Sequence, residues 1–170
     1  HNGTINNNTF TNNTAFHRGG AICGGGDHEE DDFGHNGTIN NNTFTNNTAR
    51  VGGAIYWQYG NQATINNNTF TNNTAKGGGA IYWYYGNQAT INNNTFTNNT
   101  ANGIGQGVEE SDGGAIYWEY GNQATINNNT FTNNIVEHCG GGAIYWRSGD
   151  QATIKNNTFT QNQAKGEYGN

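Results

Sequence analysis

The 170-residue chain contains no proline, no methionine and no leucine. Ile, Val and Phe together supply 24 of 170 residues, or 14%. That is below the ~20% floor of ordinary globular chains and, taken alone, falls in the disordered range. Charge is scarce too: 11% of residues are Asp, Glu, Lys or Arg, and the net charge is −6. Little repulsion holds such a chain open, so the other condition for disorder fails. Six Lys and Arg residues, scattered singly, make no basic patch and argue against nucleic acid as a partner. No run of about 18 apolar residues exists, so no membrane insertion by a helix is expected. The chain starts at His1 without Met or a signal segment, and reads as a processed protein or a piece of a longer one.

In place of these residues stand 35 Asn, 27 Gly and 22 Thr, about half of the sequence. All three are poor helix formers and no segment has a 3.6 period, so a helix bundle is excluded. The order behind this composition is an internal repeat, NQATINNNTFTNNTAxGGGAIYWxYG. Its copies run 1–34, 35–60, 61–86, 87–121, 122–149 and a partial 150–170, in a single domain. Two copies carry insertions, GGGDHEEDDFG after Cys23 and NGIGQGVEESD between Ala101 and Gly113.

A unit of this length without helical pattern suits one coil of a β-solenoid, about three short strands joined by tight corners. In the third copy the strands are expected at Thr64 to Asn67, Thr69 to Thr71 and Gly79 to Trp83. Ile65 and Phe70 are an odd number apart, so alternation alone cannot turn both inward. A corner at Asn67-Asn68 resolves this, because Asn tolerates the left-handed conformation. The expected fold class is all-β, a right-handed parallel β-helix of about six coils. Its core would stack Ile39, Ile65 and Ile91 in one column and Phe44, Phe70 and Phe96 in another. Asn47, Asn73 and Asn99 would form an amide ladder about 4.8 Å per coil. The two Asn following each T-I-N, such as Asn67 and Asn68, are expected in a second inward ladder.

The pairing of GGAI (Gly52 to Ile55 and its copies) with FxxN (Phe70 to Asn73 and its copies) resembles the repeats of chlamydial polymorphic outer membrane proteins and related surface adhesins. The resemblance covers nearly the whole chain. It implies a right-handed parallel β-helix at a cell surface or outside the cell. No C-terminal membrane-barrel region accompanies it here.

Several residue sets suggest surface roles. The T-F-T ranks (Thr69/Thr71 and copies) would form an outward threonine grid, similar to the T-x-T array of ice-binding solenoids. Twelve N-x-T sequons occur. Asn12, Asn46, Asn72 and Asn98 should point outward, and Asn2 and Asn36 lie at a corner, making these six the glycosylation candidates. Asn7, Asn41, Asn67, Asn93, Asn128 and Asn156 would be buried in the ladder. With Ile inward on the third strand, Tyr56, Tyr82, Tyr117 and Tyr145 become an exposed row for surface glycans or a neighbour, and the Trp residues fall near the corner. Asp27, Glu29 and Asp31 offer oxygen ligands, but their spacing matches no known Ca²⁺ loop, so no metal or other cofactor is expected.

Carbohydrate-active solenoids need grouped acids beside a basic residue. Arg18, Arg50, Lys76 and Arg147 fall on separate coils, and the expectation is that the chain is not an enzyme. Cys23 and Cys139 differ in register and are four coils apart, on the order of 19 Å, too far for a disulfide. Repeat sequence reaches both termini without a capping helix or charged lid. The leading expectation is a structural extracellular homopolymer, assembled head-to-tail into a filament. Alternatives are a fragment of a surface adhesin and an ice-binding protein.

Overall fold

The computed structural model describes residues 3–25, 36–103, 112–138 and 140–166. Every sheet in it is parallel, and successive coils lay their strands side by side in the same sheets. The T-I-N triplets, such as Thr64–Asn66, make a six-stranded sheet, and the T-F-T triplets, such as Thr69–Thr71, make another. The four I-Y-W segments, such as Ile81–Tyr84, form a five-stranded sheet with Ile22–Gly25 of the first coil. Pairing is in strict register: Ile65 faces Ile39 and Ile91, and Phe70 faces Phe44 and Phe96.

The short strands follow from their corners. Asn67 and Asn72 take φ of 54° and 55°, and the equivalent Asn residues in the other coils do the same. A left-handed residue ends a strand and re-aims the chain, which Asn accepts at low cost. The corner expected at Asn67-Asn68 is thus present, with a second at Asn72. Two features differ from the sequence reading. A fourth, minor sheet pairs Thr74–Ala75, Thr100–Ala101, Ile135–Val136 and Gln163–Ala164. The third strand also starts at Ile81 rather than Gly79, because Gly78 turns the chain with φ of 60°. A Cβ on Gly79 would lie 2.1 Å from the carbonyl oxygen of Gly114.

The core is a set of columns. Ile39, Ile65, Ile91 and Ile126 are fully buried, as are Phe44, Phe70, Phe96 and Phe131. Successive phenylalanine rings lie 4.8 Å apart with planes within 5° from Phe10 to Phe131. Trp57, Trp83 and Trp118 join this core from the third sheet, stacked in turn.

Candidate functional site

Two amide ladders run the length of the solenoid. Asn47, Asn73, Asn99 and Asn134 are fully buried, and each donates from its backbone N–H and its Nδ2 to Oδ1 of the next Asn, at 2.8–3.0 Å across the ladder. Nδ2 gives its other hydrogen to a carbonyl one coil earlier, as Asn99 does to Phe70 at 3.0 Å. Asn42, Asn68, Asn94 and Asn129 repeat the pattern. Every buried amide of the two ladders is hydrogen-bonded, which is what lets asparagine stand in a core in place of leucine.

The second ladder therefore uses Asn68 and its equivalents alone. Asn67, with Asn7, Asn41, Asn93, Asn128 and Asn156, is exposed, which corrects the expectation of an inward row. Its left-handed backbone swings the side chain out while the next residue turns in. Their sequons are as open as those of Asn12, Asn46, Asn72 and Asn98, which are also exposed. Asn36 is half-buried, and Asn2 lies outside the described residues.

Because both ladders point one way, the ends differ. Oδ1 of Asn8 and of Asn13 accepts no hydrogen bond among the described residues, whereas Asn157 and Asn162 bond backward only, to Ile126 and Phe131. The C-terminal end also exposes apolar surface: Ile154 is 47% and Phe159 50% exposed, against 0% for their counterparts Ile126 and Phe131. A hollow of about 450 Å³ opens there, lined by Ala143, Ile144, Trp146, Ile154 and Phe159.

The tyrosine row requires a larger correction. Tyr56, Tyr82 and Tyr117 are 4%, 4% and 1% exposed, and Tyr145 is half-buried. They do point away from the main core, as alternation with Ile and Trp demands. On that outer side they form a second apolar cluster with Val51, with Tyr84 packed against it. Trp57, Trp83 and Trp118 point inward instead of sitting at a rim.

Within the second cluster Glu119 is 4% exposed; it accepts hydrogen bonds from Tyr82 at 3.3 Å and Tyr117 at 3.1 Å and pairs with Arg147 at 2.6 Å. Burial pushes the Tyr117 hydroxyl up to about 12, opposed by its hydrogen bond with Arg147 and reinforced by Glu119. Burial, then Tyr117 and Glu119, likewise push Tyr82 up.

A half-buried to exposed set of aromatics lies at a neighbouring corner. Tyr59, Tyr85 and Tyr120 hold φ of 54–56° and stack at 5.4 and 4.6 Å, with Tyr84 edge-on to them. Exposed glutamines, Gln62, Gln88, Gln123 and Gln151, form a ladder beyond them. The repeated Y-G-N-Q that carries this corner was visible in the sequence.

Arg18 and Arg50 are not scattered: with His17 and Val51 they line one hollow of about 330 Å³, and Arg18 sits 4.8 Å above the Tyr56 ring. Asp27, Glu29, Asp31 and Cys139 lie outside the described residues, while Cys23 faces Tyr56 in the third sheet. Among the described residues, no group of three or more His, Cys, Asp or Glu side chains could hold a metal ion. No helix among them is long and apolar enough to cross a membrane.

No curated protein and no solved structure matches the chain. The profile of one family, described as a right-handed beta helix region, matches residues 1–168. With parallel sheets in register along the whole described chain, it belongs to the right-handed β-helix family.

Proposed function

We propose that the chain is a structural, non-catalytic solenoid of the cell exterior that stacks head-to-tail on a second copy of itself into a filament. The observation that carries this reading is the polarity of the asparagine ladders. Donors left over at Asn157 and Asn162 match acceptors left over at Asn8 and Asn13. Ile154 and Phe159 would then meet Ile5 and Phe10, the contact already made between every pair of adjoining coils. A head-to-tail contact of this kind does not close, so it propagates. Polar threonine and asparagine faces, with open sequons along them, suit an exterior setting.

Electron microscopy and sedimentation of the purified protein over a concentration series test the reading. Filaments with an axial repeat near ~29 Å, six coils at about 4.8 Å, are expected. Phe159→Asp, which buries a carboxylate in the contact, should abolish them. Wild-type protein that stays monomeric at every concentration refutes the filament and favours a surface-adhesin module.

A second reading rests on regularity. Neighbouring phenylalanine rings keep 4.8 Å and planes within 5° from Phe10 to Phe131, so the T-F-T strands stack evenly and their outer threonines recur once per coil in register. Such a lattice supports ice binding. Absence of thermal hysteresis in unglycosylated protein would eliminate it.

A further inference from the structure

The tryptophan column stops one coil short of the N-terminal end. Trp57, Trp83, Trp118 and Trp146 stack in succession, Trp83 on Trp118 at 4.7 Å and 4°. The residue paired with Trp57 in the first coil is Gly24. Neighbouring positions are trimmed in the same way. Gly25 pairs with Gln58, while Gly3 and Gly37 accept from the next coil's Thr N–H where Ala63 and Ala89 do so later.

A hollow of about 220 Å³ opens among these four glycines, completed by Ile5, Thr38, Ile39 and Trp57. Trp57 forms one wall, close enough that a Cβ on Gly24 would lie 3.3 Å from its ring. Among the described residues, nothing lies within 4 Å of a Cβ built on Gly3. The described lining residues carry no charged group and a single hydroxyl, from Thr38.

We propose that this slot binds one neutral, flat aromatic molecule of one or two rings, which takes the place of the missing indole and stacks on Trp57. Three features select that chemistry. The column shows what geometry the rank accepts, stacked rings with centroids 4.7–5.8 Å apart and planes within 21°. The described lining, Gly, Ile, Trp and one Thr, favours a neutral ligand, since none of these side chains offsets the desolvation of a charge. The volume sets the size: an apolar cavity of about 150 Å³ stays dry and admits benzene, so this one takes a slightly larger ring system. Larger ligands, which need about 300 Å³ or more, do not fit.

The test titrates free indole into the purified protein by calorimetry and by saturation-transfer NMR. One site per chain is expected, with a dissociation constant of about 0.1–1 mM, and zwitterionic tryptophan should not bind. Gly24→Trp refills the rank and should weaken indole binding at least about tenfold while raising the melting temperature. Gly3→Leu narrows the slot from an open position and should weaken binding similarly, which covers the case that Gly24→Trp misfolds. The assignment is overturned by a protein with an unaltered slot that shows no saturable binding, or by binding that survives Gly3→Leu undiminished. Ile5 lines the slot and also lies in the proposed chain–chain contact, so the titrations use Phe159→Asp protein, which is expected to stay monomeric. Binding is then read without assembly and stands or falls separately from filament formation.

Discussion

Nδ2 of Asn73 donates to Oδ1 of Asn99 across 2.9 Å, and the backbone N–H of Asn73 reaches the same oxygen at 3.0 Å. One oxygen thus serves two buried donors, while Nδ2 of Asn99 serves the Phe70 carbonyl. Replacing Asn99 by Ala strands all three groups in a dry core. The expected loss is about 3 kcal/mol or more, at ~1–3 kcal/mol for each unsatisfied group. Asn98→Gly, one residue away, removes only an exposed side chain from a left-handed backbone, and should change stability by a few tenths. Urea denaturation of the two variants side by side checks the contrast.

Gly86 lies under the tryptophan column: a Cβ there would sit 2.1 Å from Nε1 and 2.7 Å from Cδ1 of Trp83. Trp83 is fully buried between Trp57 and Trp118 and has nowhere to shift. Gly86→Ala should therefore destabilise by about 1–3 kcal/mol through overpacking. Gly3→Ala, whose Cβ meets nothing among the described residues, should be close to neutral. Thermal melts of both variants decide this.

Tyr82 and Tyr117 resist ionisation in the folded state, Tyr117 up to about 12. An unfolded tyrosine titrates near 10. A folded-state pKa above the unfolded one means the native protein holds its protons longer, so the contribution is complete below about pH 10 and disappears as pH rises towards and through 12. Stability should be flat across neutral pH on this account and drop between about pH 10 and 12. In Tyr117→Phe the drop should be shallower, at the expense of about 1–2 kcal/mol at neutral pH for the lost hydrogen bond to Glu119. Melting temperatures followed alongside tyrosinate absorbance measure both.

The inward columns were legible because a three-residue strand between two corners has only one central residue. Ile65 and Phe70 hold that place, and their recurrence identifies the core without any alignment. The corner at Asn67 was legible from residue chemistry. Which of Asn67 and Asn68 turns inward was not, since both recur in every copy and only the backbone angle separates them. The burial of Tyr82 was hidden for another reason. Alternation tells which side of a sheet a residue takes, but not what covers that side. Here the cover comes from Val51 and the Glu119–Arg147 pair on other coils, with Tyr84 two residues along the same strand. The clustering of Arg18 with Arg50 was equally invisible, because coils that look separate in sequence are neighbours in space.

Strict register has a consequence for heredity. Each interior coil offers the same upper and lower surface, and adjoining copies are linked through the same Gly-Asn-Gln, at Gly60 to Gln62, Gly86 to Gln88 and Gly121 to Gln123. Excision of Asn61 to Gly86 would join Gly60 to Asn87 and leave every column continuous. Unequal recombination between such near-identical stretches of a gene can add or delete a coil without a frame of new contacts to evolve. Length in this fold is a quantity that mutation can change in whole steps, while point changes in the core are held fixed by the neighbours above and below.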